Sequence, residues 1–284
     1  MDFDLESRRL NRPFSGFLLV SDLDGTLLNS RHEISERNIN AIYSFIKGGG
    51  KFALATGRGR ISIWPYLSKI PVNAPCILYN GAMIYDSVQG LFIKKIDFDT
   101  AIIPILKSLH ACYPGLGIEI FLEDSVLFYG ENQWTKFHKE RDGFSAQRIM
   151  SLRMDHAWYK IVLTWDPAKL QIIENIYRDR LVGYCVNFSE PHFLDITHLH
   201  ASKGNALQYL ARQLDILPDK TIAVGDNCND IDMIQKAGFG FAVANACDEL
   251  KREAKSVCKD NDQHAIWDVV RFLLNEIAES KKEE

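Results

Sequence analysis

Several familiar signatures are missing from this chain, and each absence removes a class of function. No stretch approaches the run of about 18 consecutive apolar residues that a membrane-spanning helix requires, so a membrane is not expected as a partner. The first residues, Met1 to Arg9, place acids ahead of any apolar segment, which is not the order of a secretory signal. There is no basic excess: 33 lysines and arginines against 37 aspartates and glutamates give a net charge of -4, so nucleic acid is not expected either. The six cysteines, Cys76, Cys112, Cys185, Cys228, Cys247 and Cys258, contain no Cys-x-x-Cys pair. Their scatter fits reduced thiols in a cytosolic protein better than a disulfide framework or a zinc site. No repeat or low-complexity segment interrupts the sequence. What remains is a chain of 284 residues, 46% hydrophobic, long enough for one large domain or two ordinary ones, with the cytoplasm as its expected location.

The stretch that organises the rest is Phe17-Leu-Leu-Val-Ser-Asp22-Leu-Asp24-Gly25-Thr26-Leu-Leu28. Its apolar run reads as a buried parallel strand, and it ends in two carboxylates spaced i and i+2 ahead of a glycine. Carboxylates this close repel unless a cation or a proton separates them. Alone, the pair also matches a polar strand end before a glycine turn.

The residues before Phe17 read as a loose lead-in. Ser35 caps a helix carrying Ile39, Ile42, Phe45 and Ile46 on one face, and Gly48-Gly-Gly50 stops it. Lys51 to Thr56 is the next strand, which a right-handed crossover places parallel to the first, with Thr56 on the same edge as Asp22. A short helix containing Pro65 and a third strand, Pro75 to Tyr79, follow. Beyond Tyr85 the texture changes. Strands are expected over Leu91–Ile96, Ile118–Leu122, Val126–Tyr129, Trp158–Trp165, Tyr184–Phe188 and His192–Ile196, with a helix opened by Asp166-Pro167 and running to about Leu181. This mixture suggests an antiparallel α+β module. The parallel texture then returns: a helix capped by Ser202 with Lys203 in its first turn, a strand Thr221–Val224 ending in Gly225-Asp226, a helix started by Asn229 and Asp230 and stopped by Gly238, a final strand Phe239–Val243, and a closing helix from about Ala265 to Ala278 with a frayed tail from Lys281. The expected class is α/β: a Rossmann-like parallel-sheet core with an inserted α+β cap domain, divided as 1–84, 85–196 and 197–284.

In a parallel sheet Asp22, Asp24, Thr56, Lys203, Asp226, Asn229 and Asp230 converge on one edge. Several carboxylates with one hydroxyl, one amide and one lysine suit a hard, oxygen-preferring cation together with a phosphoryl group. The segments Asp22-Leu-Asp24-Gly-Thr-Leu-Leu, Ala55-Thr56-Gly-Arg58, Ser202-Lys203-Gly-Asn-Ala-Leu and Gly225-Asp226-Asn-Cys-Asn229-Asp230-Ile-Asp-Met233 resemble, in order, the four motifs of the haloacid dehalogenase superfamily. Their spacing resembles its Cof-like branch, with a type IIB cap between the second and third motifs. The phrases Tyr79-Asn-Gly-Ala82 and Val243-Ala-Asn-Ala246 fit as well, and the resemblance spans nearly everything beyond Phe17.

The resemblance implies a Mg²⁺-dependent phosphatase acting on small phosphorylated metabolites, with sugar phosphates favoured. Asp22 would be the nucleophile that forms an aspartyl-phosphate, and Asp24 the acid and then the base. Asp22, the Asp24 carbonyl and Asp226 would hold the metal, with Asp230 either a further ligand or a group behind them. Leu23, Thr56, Gly57, Lys203 and Asn229 would hold the phosphoryl oxygens, Lys203 neutralising their charge. A phosphomutase on hexose phosphates and a catalytically silent sugar-phosphate-binding regulator are the alternatives, and monomer and homodimer are equally compatible. Two departures stand out. Cys228 fills a variable slot in the fourth motif, where an inert thiol is favoured. Asp260-Asn-Asp-Gln-His264 lacks a glycine that the family often has there. Arg58 and Arg60 read as structural or surface pairs at least as readily as substrate contacts. His198 and His200 lack a third ligand nearby, and the aromatics Phe121, Tyr129, Trp134, Trp158 and Phe193 read mostly as core, with one or two lining the cavity.

Overall fold

A computed structural model describes residues 12–283, so the readings made for Met1 to Arg9 and for Glu284 lie outside the described residues. In chain order the elements are β1 (Leu18–Ser21), α1 (Glu36–Lys47), β2 (Lys51–Leu54), α2 (Arg60–Leu67), β3 (Cys76–Leu78), β4 (Met83–Asp86) and β5 (Leu91–Lys95). There follow α3 (Ile102–Cys112), β6 (Gly117–Phe121), β7 (Val126–Gly130), α4 (Gln133–Asp142), β8 (Ala146–Arg148), β9 (Lys160–Thr164), α5 (Pro167–Tyr177), β10 (Tyr184–Glu190) and β11 (Phe193–His198). The last group is α6 (Lys203–Gln213), β12 (Thr221–Gly225), α7 (Ile231–Lys236), β13 (Phe239–Val243), α8 (Asp248–Glu253), β14 (Ser256–Cys258) and α9 (Ala265–Glu283).

The unbroken apolar runs become the centre of a five-stranded parallel sheet ordered β14-β13-β12-β1-β2. β1 and β12 are buried along their whole length, as strands covered on both faces must be. Ser21 lies opposite both Leu54 and Val224, so β1, β2 and β12 end level and deliver Asp22, Thr56 and Asp226 to one edge. Ser35 caps α1 as expected, accepting from the Asn38 amide at 3.3 Å.

Several expectations change. Phe14 is not part of a loose lead-in: it is 2% exposed and packs on Phe45 with ring centroids 4.7 Å apart, closing the end of α1. β3 meets the parallel sheet only at the Ala55–Ile77 bridge and pairs antiparallel with β4. Tyr79, Asn80 and Gly81 all take positive φ and turn the chain back on itself there. The three-stranded sheet β3-β4-β5 therefore runs across residue 84. β13 is not the last strand, since β14 adds to it in parallel, and α9 stays helical to Glu283 rather than fraying from Lys281.

The six-stranded sheet, ordered β10-β11-β9-β6-β7-β8, is antiparallel except at β7–β8. Strand alternation sorts its side chains to two faces. Ile118, Ile120, Ile161, Leu163, Leu194 and Ile196 join α3 and α5 in a core of their own. Phe121, Val162 and Phe193 point the other way, into the main core, and share their face with Glu119, Lys160 and Asp195. An unpaired charge in such a place costs several kcal/mol, roughly, so partners for all three are required.

Candidate active site

The site begins where β1 stops. The Asp22 amide donates to the Val224 carbonyl at 2.9 Å, which fixes the backbone at the sheet edge. Gly25 then turns the loop with φ +74°, a conformation that glycine adopts without strain. A Cβ at Gly25 would stand 2.5 Å from Asp226 Oδ2, so this turn also lets the two motifs close on each other. Asn245 braces the loop from outside: its Nδ2 donates to the Gly25 carbonyl at 2.8 Å while its Oδ1 accepts from the Asn261 amide at 3.0 Å. In the stretch that lacks a glycine, His264 sits at φ +68° and its Nδ1 meets Ser35 Oγ at 2.9 Å. A hydrogen bond thus accompanies a histidine in the left-handed region at the end of the 260–264 loop. Gly25→Ala is expected to cut turnover at least tenfold, through roughly 1–2 kcal/mol of backbone strain and displacement of the Asp226 carboxylate. Steady-state kinetics checks this, and a variant within twofold of wild type would show that the Gly25–Asp226 approach is not needed.

One oxygen each of Asp22, Asp226 and Asp230 lie within 4.8 Å of one another. Lys203, at the start of α6, is wholly buried among them: Nζ is 2.6 Å from Asp22 Oδ1 and 2.6 Å from Asp230 Oδ1. Burial pushes the Asp22 carboxyl well above the usual range, Lys203 pulls it back, and Asp230, Asp226 and Asp24 push it up again. Burial, with Asp230, pushes Asp226 up to about 7, although Lys203 and the 3.1 Å bond from Thr26 Oγ1 oppose this. Three carboxylates share one ammonium, which leaves negative charge for a cation to offset. Hard oxygen donors in this number fit Mg²⁺.

The seven predicted positions are thus brought to one edge, but their partners differ from expectation. Asp230 is completely buried, and besides Lys203 it accepts from the Asp226 and Asn227 amides at 3.1 and 3.2 Å. Asp24 is not among those clustered oxygens and is gripped by Arg58, with Nε to Oδ2 at 2.7 Å and Nη2 to Oδ1 at 2.8 Å. Leu23 buries its side chain in the core, so only its backbone is available to a phosphate. Thr56 is buried, with Oγ1 accepting from the Arg58 amide at 3.1 Å. The Gly57 carbonyl accepts from Lys160 Nζ at 3.2 Å, and Asn229 donates to Asn80 Oδ1 at 3.1 Å. Burial pushes the Cys228 thiol up to about 11, with Cys247 adding to it, so it is no nucleophile near neutral pH.

A cavity of about 550 Å³ opens above Asp22, Asp24, Thr56 and Asp226. Its far wall comes from the six-stranded sheet and α4: Phe137, His138, Arg141, Lys160 and Phe193. Of the five aromatics weighed in the sequence, Phe193 lines it. Arg60 is taken up by Asp124 at 2.7 Å, a partly exposed pair. Pattern reading missed this wall. Glu119, Lys160 and Asp195 were visible as lone charges inside apolar strands, and all three are paired. Lys160 meets Asp195 Oδ2 at 2.6 Å, Asn80 Nδ2 donates to that same oxygen at 3.0 Å, and Glu119 meets His138 Nδ1 at 2.6 Å. Asp142 links wall to floor, 3.4 Å from His138 Nε2 and 3.3 Å from Arg58 Nη1.

His138 supplies a pH dependence. Burial disfavours its cation, but Glu119 and Asp142 outweigh burial and hold the imidazole up to about 9. A group raised in the folded state contributes stability fully below its unfolded value, about 6.5, and loses that contribution as pH rises through 9. Wild type is therefore expected to lose on the order of 2 kcal/mol between pH 6.5 and pH 9.5 relative to His138→Gln. Urea midpoints of the two proteins across that range measure the difference, and parallel curves would remove His138 as the titrating group.

Comparison with known proteins gives a consistent result. Residues 19–270 match the family model of the haloacid dehalogenase-like hydrolases. The chain is 29% identical to phosphatase YwpJ of Bacillus subtilis over 286 residues, covering 90% of this chain and 99% of that protein. It is 27% identical to the 5-amino-6-(5-phospho-D-ribitylamino)uracil phosphatase YwtE of the same organism, covering 90% and 98%. A crystal structure of a haloacid dehalogenase-like hydrolase from Bacteroides thetaiotaomicron superposes with a TM-score of 0.79 at 25% identity, over 90% of this chain and 99% of that one.

Proposed function

The chain belongs to the haloacid dehalogenase-like hydrolases and is a phosphatase; from that premise we propose that it hydrolyses small phosphorylated metabolites, sugar phosphates foremost, through an aspartyl-phosphate on Asp22. The observation that carries this reading is the position of Asp22. It is a nearly buried carboxylate that nonetheless lines the cavity, with one oxygen on Lys203 and the other left for chemistry.

The steps follow from the residues. The free Asp22 oxygen attacks phosphorus, the ester P–O bond breaks, and the leaving alkoxide takes a proton from Asp24. Water then attacks the aspartyl-phosphate, giving a proton back to Asp24, and inorganic phosphate departs with Asp22 restored. Both Asp24 oxygens accept from Arg58 in this structure, so Arg58 has to release at least one before Asp24 can act. Lys203 keeps Asp22 in place, Thr56 and the Gly57 amide face the phosphoryl oxygens, and Asn229 is held ready by Asn80. Asp22, the Asp24 carbonyl and Asp226 would hold Mg²⁺, with Asp230 bracing Lys203 and the Asp226 amide behind them. Bound there, Mg²⁺ offsets the repulsion between Asp22 and a phosphate dianion.

The cap, 85–196 in the division proposed from sequence, supplies the far wall and selects the leaving group. A volume of about 550 Å³ falls within the range of roughly 300–1,000 Å³ usual for small-molecule sites. Arg141, Lys160 and Glu190 offer hydroxyl-binding groups, and Phe137 and Phe193 offer apolar contact. YwtE, whose name specifies a phosphorylated ribityl compound, supports a polyol phosphate. The test is a panel of hexose, pentose and polyol phosphates with Mg²⁺, read as free phosphate. Release is expected, with more than 90% of it lost in EDTA and restored by added Mg²⁺. An isomerised ester with no phosphate release would make the protein a mutase, and tight binding without turnover would make it a sensor.

A further inference from the structure

The thiol of Cys228 is not alone. Cys228 Sγ and Cys247 Sγ are 3.7 Å apart, and both sulfurs lie within 4.8 Å of a Glu249 carboxylate oxygen. None of the three lines the catalytic cavity. Cys228 opens the short turn between Asp226 and Asp230, and Cys247 stands just ahead of α8. The Cys247 amide donates to the Asp226 carbonyl at 2.9 Å, so backbone hydrogen bonding already fixes the two segments against each other.

The sulfur spacing is informative. Two thiolates on one tetrahedral zinc, each at about 2.3 Å, stand about 3.8 Å from each other. A disulfide instead needs about 2.0 Å, so both cysteines are free thiols here. The two sulfurs thus stand at the separation that a shared ion requires. Both cysteines are half-buried and Glu249 is exposed, which gives an ion a path from solvent. The donor set also separates this cluster from its neighbour. Two sulfurs and one carboxylate favour a soft cation, whereas the all-oxygen set of Asp22, Asp226 and Asp230 favours a hard one.

We propose that Cys228, Cys247 and Glu249 form a second metal site, for a thiophilic divalent cation of the zinc or cadmium class, with water completing the coordination. Binding there displaces both thiol protons. It also ties the loop bearing Asp226 and Asp230 to the segment that enters α8. The site stands independently of the substrate reading given above.

The experiment uses the full-length protein, reduced and stripped of transition metals, with excess Mg²⁺ present to supply the oxygen cluster. Titration with Co²⁺ or Cd²⁺ is expected to raise thiolate-to-metal charge-transfer absorption that saturates at one equivalent. Cys228→Ser and Cys247→Ser should each weaken binding at least tenfold, and the double variant should lose the band. Glu249→Gln, at an exposed position, should keep the band and bind at least threefold more weakly. Cys112→Ser and Cys185→Ser should titrate like wild type. X-ray absorption on the Cd²⁺-loaded wild type should count two sulfur neighbours, a readout that needs no variant. Absence of the band in wild type, its survival in the double variant, or fewer than two sulfur neighbours would overturn the proposal.

Discussion

Asp22→Asn is expected to lower turnover by about 10⁴-fold or more while leaving the protein at least as stable as wild type. The two halves of that result come from one fact. Burial and the neighbouring carboxylates push Asp22 well above the ordinary carboxylate range, so the fold works against its negative charge. A neutral side chain of the same shape relieves that opposition, and Lys203 keeps Asp230 as its counterion at 2.6 Å. The chemistry gains nothing from this relief, because an amide is no substitute for the attacking oxygen. The measurement is kcat alongside the urea midpoint, in EDTA so that metal binding does not enter the stability. Activity within tenfold of wild type would remove Asp22 as the nucleophile. Lost activity with a stability drop above about 2 kcal/mol would mean that its charge is structural after all.

Such a trade-off is legible only in part from sequence, and the reason lies in where each signal sits. β1 and β12 are continuous apolar runs, and the charged residues that end them have no packing purpose, so pattern alone brings Asp22 and Asp226 to one edge. Ser35 and Ser202 announce their helices because capping is a local interaction. The opposite wall depends on long-range pairing. α4 buries only Thr135 and His138 along ten residues, and its two large apolar side chains, Trp134 and Phe137, stay partly or largely exposed, so no buried apolar stripe marks it as a helix. β14 is three residues long with a single buried side chain. Arg58 offers the same limit within the site: its neighbour Thr56 fixes where it emerges, but nothing near it in sequence reveals that it grips Asp24, 34 positions away. Lys203 was legible as a cation at a helix start. Its complete burial between two carboxylates was not, since that depends on β1 and the 226–230 loop meeting over α6.

That burial sets the second large expectation. Lys203→Met keeps the volume and the apolar stem but removes the charge, leaving Asp22 and Asp230 facing each other with almost no solvent exposure. Breaking a buried ion pair from one side costs about 3–5 kcal/mol, because the remaining charges lose their compensation. The folded protein should therefore lose stability on that scale, and turnover should fall at least 10²-fold as Asp22 loses its anchor. Burial works against the Lys203 charge, but Asp22 and Asp230 hold it protonated above its usual range, so the wild type keeps its counterion from pH 6 to pH 9 and the loss should grow as rising pH ionises the carboxylates left in the variant. The cycle with Asp22→Asn separates charge from packing. If the cost is uncompensated negative charge, Asp22→Asn added to Lys203→Met should recover at least 1 kcal/mol, roughly, since one carboxylate has been removed. If the loss is one of packing, the second substitution recovers nothing. Urea denaturation of the four proteins in EDTA decides between them, and equal stability of wild type and Lys203→Met would mean that Asp22 and Asp230 take up protons when the lysine is gone. In that case Asp22 would be neutral, and activity should return only as pH rises enough to ionise it.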